Sequence, residues 1–414
     1  MRARSYAVRP LMQSPGRKQA IWWSSAALIA WTAAFVVVVT RAIRLPNRAL
    51  LLYIYEEGGQ HWIHGQALYG NIPGRFVYGP LAAPFFAAIL HLPGLLQAPV
   101  WIAINTFVFL AGAIALLRSG LYSIHVRYHG LALLLLLPLV LGNLDMTQAN
   151  PLVIGFVMLA TAAATRGKWS LAAICIGIAA SFKVYPIVVG LLFVVLAPRR
   201  FTWRLLIALL VLGLLPFLYQ TVGYVRDQYH LWFTTLVHDN RFSYQITTAP
   251  IDLWLLLVRL GHLPIAPATY EVIQVLSGAS IALFCLAGRL RAWSERRLLV
   301  GVFSFACIWM TLLGPATEGL TYILLAPAVV LMTLDADRLL QPVWLRMLCL
   351  LSLLLLLLTV SKNSLAPHLF GVWTRGMQPV AALMFTAYCA CTLLNGGDLV
   401  PAAALLPSEC PSTV

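Results

Sequence analysis

The sequence predicts an all-α polytopic membrane protein, a bundle of about 12 transmembrane helices, and three observations carry that prediction. Hydrophobic residues make up 61% of the 414 residues and charged residues only 10%, whereas a soluble domain holds about 45–50% and about 25%. Mean hydropathy is +0.86. The apolar residues fall in runs of roughly 14–20, separated by short basic loops. Lipid must therefore be the main solvent of this chain. The net charge of +15 does not indicate nucleic acid, because the Arg and Lys residues cluster in loops between spans, as the positive-inside rule requires. Of seven Cys, six lie in apolar runs and Cys410 lies in the tail, with no CxxC pair. Neither a disulfide framework nor a Cys metal site is indicated.

In chain order, residues 1–20 read as a basic cytoplasmic tail carrying Arg2, Arg4, Arg9, Arg17 and Lys18. The first apolar run, 21–41, is too long for a signal-peptide core, and no small-x-small cleavage site follows it. Further spans are expected at 97–117, 129–143, 150–165, 169–183, 185–198, 203–222, 270–288, 298–314, 319–334, 343–360 and 376–395. The apolar segment 81–92 is bracketed by Pro80 and Pro93 and is too short to cross. It reads as an interfacial or re-entrant helix in a first external loop, 42–96. That choice puts the basic loops near 118–127, 166–168, 199–204 and 289–297 on the cytoplasmic side with both termini. The external side then collects the polar segments, including a second long loop at 223–269. Residues 21–395 form a single transmembrane domain, and 396–414 reads as a disordered cytoplasmic tail.

Only 13 residues are Asp or Glu, and Glu56 and Glu57 are adjacent just after the first span. A carboxylate pair at a membrane surface costs desolvation and self-repulsion. One of them can act as a general base on a hydroxyl nucleophile; alternatively both are solvated residues stabilised by a helix dipole. Lys183 ends an apolar run beside Tyr185 and Pro186. A cation there needs a partner, either a lipid-linked phosphate that it stabilises as a leaving group or Asp145, unless it snorkels to the interface. Arg44 and Arg75 are further phosphate candidates, and Arg41 and Arg48 flank the same loop. Asp145, Gln148 and Asn150 sit at a tight turn, where they either bind sugar hydroxyls or serve as turn and cap residues. Glu318 is a second external carboxylate. His61 and His64, beside the two Glu, raise the question of a divalent metal. No metal signature matches, and no metal or cofactor is expected.

The motifs fall in an ordered series. Tyr55-Glu56-Glu57-Gly58, Trp62, Gly65-x3-Tyr69 and Phe76-Val77-Tyr78-Gly79-Pro80-Leu81 resemble the first external loop of GT-C-fold membrane glycosyltransferases. Thr147-Gln148-Ala149-Asn150-Pro151, Gly177-x5-Lys183-x2-Pro186 and Gly314-Pro315 with Tyr322 resemble later steps of glycosyltransferase family 87, the polyprenol-phosphate-mannose-dependent group. The resemblance runs over about residues 50–330, with Thr147 where Gly is usual and Gly314 where Ser is usual. It implies an inverting transfer of a hexose, mannose as the first expectation, from a polyprenyl-phosphate donor to a glycolipid, glycan or protein acceptor. The reaction would occur at the external, periplasmic face of a bacterial inner membrane. Glu56 and Glu57 are then the catalytic candidates, with Glu56 aligning best with the acidic position. Lys183, Arg75 and Arg44 would meet the donor phosphate. Tyr55, His61, Tyr69, Tyr78, Asp145, Gln148, Asn150, Tyr185, Glu318 and Tyr322 would line the substrate site. The competing readings are a transporter or lipid-carrier flippase, and an O-antigen polymerase or ligase-like enzyme.

Overall fold

Lipid leaves a spanning backbone only two ways to satisfy its N–H and C=O groups, a helix or a closed barrel, and this chain takes the first. The computed structural model describes residues 15–45, 50–70, 76–238, 241–246, 249–314, 317–336, 340–365 and 372–395, and no strand occurs among them. Most of both tails, Arg48, Arg75, Asp239 and Pro315 lie outside the described residues.

The helices are α1 (Pro15–Arg44), α2 (Leu50–Ile63), α3 (Ala82–Leu90), α4 (Gly94–Leu117), α5 (His129–Asp145), α6 (Asn150–Ala164), α7 (Trp169–Phe182) and α8 (Ile187–Leu196). They continue as α9 (Pro198–Leu214), α10 (Val222–His238), α11 (Pro267–Leu290), α12 (Glu295–Leu312), α13 (Ala326–Leu334), α14 (Val343–Leu365) and α15 (Met377–Asn395). A 3-10 helix, Gly319–Leu324, leads into α13. All twelve expected spans are helical, but they are not equal. Six segments are long and apolar enough to cross: Lys18–Arg44, Gly94–Leu117, Val126–Asp145, Pro198–Leu218, Pro267–Leu290 and Thr374–Leu394. Five are shorter apolar helices, and α12 carries Glu295, Arg296 and Arg297 in its first turn. The count of twelve full crossings is therefore not established by helix length. The nine-residue α3 is about 14 Å long, half of a hydrocarbon core, as expected for a helix that does not span.

Of the short helices, α6 and α13 are almost wholly buried, whereas α7, α8 and α14 each keep an exposed face. Thirteen residues of α6 are buried, and α6 packs on α4 and on α7. The long helices α1, α9 and α11 form the periphery, with exposed apolar side chains such as Leu28, Leu210 and Val275. The candidate site lies where α5 ends, α6 begins, α7 ends and α8 begins.

Candidate active site

The turn between α5 and α6 is built first. Thr147 has φ of 53°, a left-handed conformation that suits Gly and strains a β-branched residue. This accounts for the Gly usual at that step. Here the threonine side chain compensates: its Oγ1 donates to Met146 O (2.7 Å) and accepts from Leu52 N (3.0 Å). Trp101 Nε1 donates to Thr147 O at 2.8 Å. Asn150 is wholly buried, and its Nδ2 donates to Asn143 Oδ1 (2.9 Å) and Gln148 Oε1 (3.0 Å). With its oxygen held, Gln148 directs its Nε2 to Glu318 Oε2 at 3.1 Å. Asn150 therefore positions Gln148, and Gln148 reaches the carboxylate.

The first loop docks onto this turn through one face of α2. Leu52, Tyr55, Gly58, Gly59 and Trp62 are buried at helical spacing. A Cβ on Gly59 would stand 2.9 Å from Ala87 N, so glycine is what lets α2 press onto α3. Tyr55 stacks on Phe86 (centroids 4.5 Å apart) and meets Trp101 edge-on. Its hydroxyl lies 3.0 Å from Tyr78 Oη and accepts from Ala149 N at 3.1 Å, serving an otherwise orphan donor at the start of α6. Tyr69 Oη donates to Tyr78 O at 2.6 Å. Gly79 N donates to Ser181 O (3.2 Å), and a Cβ there would stand 2.7 Å from the same oxygen. The Tyr-Gly-Pro step thus brings the loop against the last turn of α7. From the other side, Gln228 Oε1 on α10 accepts from Leu68 N, and Tyr224 Oη donates to Gln66 O.

Glu56 and Glu57 lie off the buried face of α2, and among the described residues neither makes a side-chain hydrogen bond or ion pair. They differ in setting. Burial raises the Glu56 carboxyl above its ordinary range. His61 is half-buried on the same helix, and the Nδ1 of exposed His64 is 2.9 Å from Gln60 O in its own turn. Among the described residues no group of three or more His, Cys, Asp or Glu is placed to hold a metal ion.

Lys183 leaves α7 in an extended conformation, with its Nζ 5.6 Å from the Tyr185 ring centroid. Burial lowers the Lys183 pKa, and the negative charge of Glu318 opposes that shift. Glu318 caps the 3-10 helix: its side chain accepts from the Thr321 backbone, and Glu318 N donates to Thr321 Oγ1 at 3.1 Å. Burial is the main cause that raises the hydroxyl pKa values of Tyr55, Tyr78 and Tyr185, that of Tyr78 to about 12, and the Glu318 charge adds to it in all three. Glu318 is thus the charge that Lys183 and these three tyrosines share. Among the described residues, four buried polar atoms of this region have no hydrogen-bond partner: Tyr185 Oη, Asn143 Nδ2, Asn150 Oδ1 and Thr317 Oγ1. Orphan groups of this kind call for water or a polar ligand.

Other candidates lie apart. Asp145 pairs with Arg41 at 3.2 Å, so the alternative in which Asp145 neutralises Lys183 is not what the structure shows. Arg44 is exposed at the end of α1. Tyr322 is buried and its hydroxyl donates to Ile251 O at 2.9 Å, which ties down the neighbouring loop. Asn143, Trp101 and Thr317 were not anticipated. Each lies in an apolar or turn segment with no motif around it, and only their contacts mark them.

A family model described as glycosyltransferase family 87 matches residues 76–315, more than half of the chain. The chain belongs to glycosyltransferase family 87. The matched stretch contains Tyr78, Gln148, Asn150 and Lys183. It is shorter than the resemblance anticipated, since Glu56, Glu57, Glu318 and Tyr322 fall outside it. ArnT from Cupriavidus metallidurans, crystallised bound to undecaprenyl phosphate, is a structural neighbour at 14% identity and a TM-score of 0.46. The alignment covers 94% of this chain and 78% of that one, and a likeness at this level assigns no residue a role. No curated protein matches by sequence. The chain is therefore a membrane glycosyltransferase by family and by composition.

Proposed function

We propose that this family 87 member transfers a hexose, mannose first among candidates, from a polyprenyl-phosphate donor to an acceptor hydroxyl at the external face of a bacterial inner membrane. The observation that carries the proposal is the setting of Lys183. It is a half-buried cation just past the end of α7, with its Nζ 5.6 Å from the Tyr185 ring centroid and the Glu318 charge acting on it against burial. A phosphate brought to the membrane interface on a lipid tail suits such a cation.

In this reading the acceptor oxygen attacks the anomeric carbon and the bond from that carbon to the phosphate oxygen breaks. The leaving phosphate keeps the electron pair and is stabilised by Lys183. The acceptor proton passes to a carboxylate, and Glu56 is the stronger candidate of the pair because burial already raises its proton affinity. Direct displacement inverts the anomeric centre. Gathering of the carboxylates and Lys183 at one end supports an enzyme over a flippase, whose charges would line a path through the middle.

The test is transfer of radiolabelled sugar from synthetic polyprenyl-phosphate-mannose, or its glucose counterpart, by purified protein in vesicles. Label should enter an acceptor lipid or glycan fraction from the polyprenyl donor and not from a nucleotide sugar. Transfer from the nucleotide sugar alone would overturn the donor assignment. Placement of this end outside is checked by single-Cys labelling in intact cells. Gln60→Cys and His230→Cys should react with an impermeant reagent, and Lys168→Cys and Arg291→Cys should be shielded. Reaction at position 168 would invert the topology.

A further inference from the structure

A cavity of about 600 Å³ lies at the end of the bundle opposite Lys183. It opens between the start of α7, the α8–α9 junction and the α11–α12 turn. Arg199, Arg200 and Arg289 line it together with Trp169 and Trp293, and Glu295 is its one acidic residue. Among the described residues none of these arginines is ion-paired. Arg289 Nη1 donates to Val195 O at 2.9 Å, which fixes that guanidinium across the end of α8 and leaves its other donors free for a ligand. Glu295 sits in the first turn of α12, where the helix dipole already serves it.

The walls are preset. Trp169 packs edge-on against Phe193 and Phe201, with centroids 6.1 and 5.8 Å away. Trp293 lies against α11 where a Cβ on Gly288 would come within 2.4 Å of its ring, and Arg297 stacks over its other side at 3.7 Å. Arg297 is itself buried and bonded to Leu393 O. The three lining arginines are exposed, so the site is an open hollow at the membrane edge. Here three unneutralised guanidiniums surround a concave space with two fixed indoles.

The ligand chemistry follows from the charges and from what adjoins them. Arginine forks suit phosphate oxygens, and Trp favours the headgroup level of a bilayer. The ten-residue α8 packs against both α9 and α11, and all three leave apolar side chains exposed, Leu191, Leu210 and Leu283 among them. We infer that this cavity is a binding site for the phosphate headgroup of an anionic glycerophospholipid, whose acyl chains lie along α8 between α9 and α11. The site is separate from the donor site, since α7, about 21 Å long, runs between them.

The experiment is native mass spectrometry of the delipidated full chain in detergent, titrated with phosphatidylglycerol, phosphatidylcholine or inorganic phosphate. Wild type should bind one phosphatidylglycerol in preference to phosphatidylcholine, and millimolar phosphate should not displace it. The Arg199→Gln/Arg289→Gln double variant should bind about 10–30-fold more weakly, at roughly fivefold per arginine near an anionic lipid. Arg199→Lys/Arg289→Lys should retain part of the binding and guards against misfolding of the first variant. Lys183→Ala should bind like wild type, so a failure here is distinct from a failure of the donor reading. Equal binding by wild type and the Gln variant, or no preference for the anionic lipid, overturns the site. Displacement by phosphate assigns the cavity to a soluble anion and overturns the lipid.

Discussion

Trp169 and Lys183 stand at opposite ends of α7, and the two ends hold charge in different ways. At the Trp169 end, cations are many and open to solvent, and among the described residues no carboxylate pairs with Arg199, Arg200 or Arg289. At the Lys183 end, a single lysine is desolvated and a buried chain from Asn143 through Asn150 and Gln148 presents one carboxylate, Glu318. The first arrangement needs only proximity to a phosphate, and charge repulsion is relieved by water. The second must be positioned, because an unpaired charge or an orphan donor in low dielectric is costly. Groups that must hold a reacting centre belong to the second kind.

The contrast is broken most strongly through Glu56. Glu56→Gln should lower turnover by about 10²–10⁴-fold, the usual scale for a general base, while donor binding persists. Its carboxyl is raised by burial, so the base form is lost as pH falls through a value above the ordinary Glu range. The acid limb of the rate profile should lie there. The same shift means that Glu56 favours the folded state at acid pH and ceases to do so as pH rises through its folded value. Glu56→Gln should therefore not lower the melting temperature at neutral pH. Near wild-type turnover in both Glu56→Gln and Glu57→Gln would remove catalysis from the first loop and transfer the question to Glu318.

Lys183→Ala comes next, with an expected loss of about 10²-fold, the scale for removing one stabilising donor. Lys183→Arg should recover part of it, since charge is kept but hydrogen-bond geometry changes. An Ala variant as active as wild type, at matched expression, would make the two ends of α7 equivalent in function. Glu318→Gln should act more mildly and through pH. The Glu318 charge holds up the Lys183 pKa against burial, so its removal should lower that pKa further and move the alkaline limb of the rate profile to lower pH. Movement of the acid limb instead would identify Glu318 as the base. The smallest effect is expected for Tyr55→Phe, which leaves Ala149 N and Tyr78 Oη without their partner. Thermal unfolding in detergent should show a loss of about 1–3 kcal/mol, with turnover reduced only as far as the α5–α6 turn shifts.

Much of this was readable from the residues because the relevant signals are local. Apolar runs located thirteen of the fifteen helices, while α2 and α10 fell within stretches read as polar loops. Pro80 and Pro93 marked α3 as too short to cross, and a lone lysine after an apolar run pointed to Lys183. The left-handed Thr147 was visible as a departure from an expected glycine. What hydropathy could not supply was depth. A run of 14 apolar residues such as α7 reads as a span, and only packing shows that it has one buried face, on α6 and α9, and one exposed face at Leu171 and Ile174. Nor could it foresee that Tyr55 and Asn150 would be buried supports, with no surface open to substrate. The partnership of Gln148 with Glu318 joins positions 170 residues apart, and no local pattern encodes a contact of that range.

The brevity of α8 has a consequence for the bilayer itself. Ten residues rise about 15 Å, against a hydrocarbon core of about 30 Å. Yet Leu191 on this helix is exposed, and α8 packs on α9 and α11, both long enough to cross. A bilayer matched to so short a helix would thin along that seam. A polyprenyl phosphate travelling in the leaflet would meet this dimple before it met any side chain. Such a dimple would bring headgroup level down towards Lys183, and the bilayer would then share the work of delivering a charged group to that end of α7.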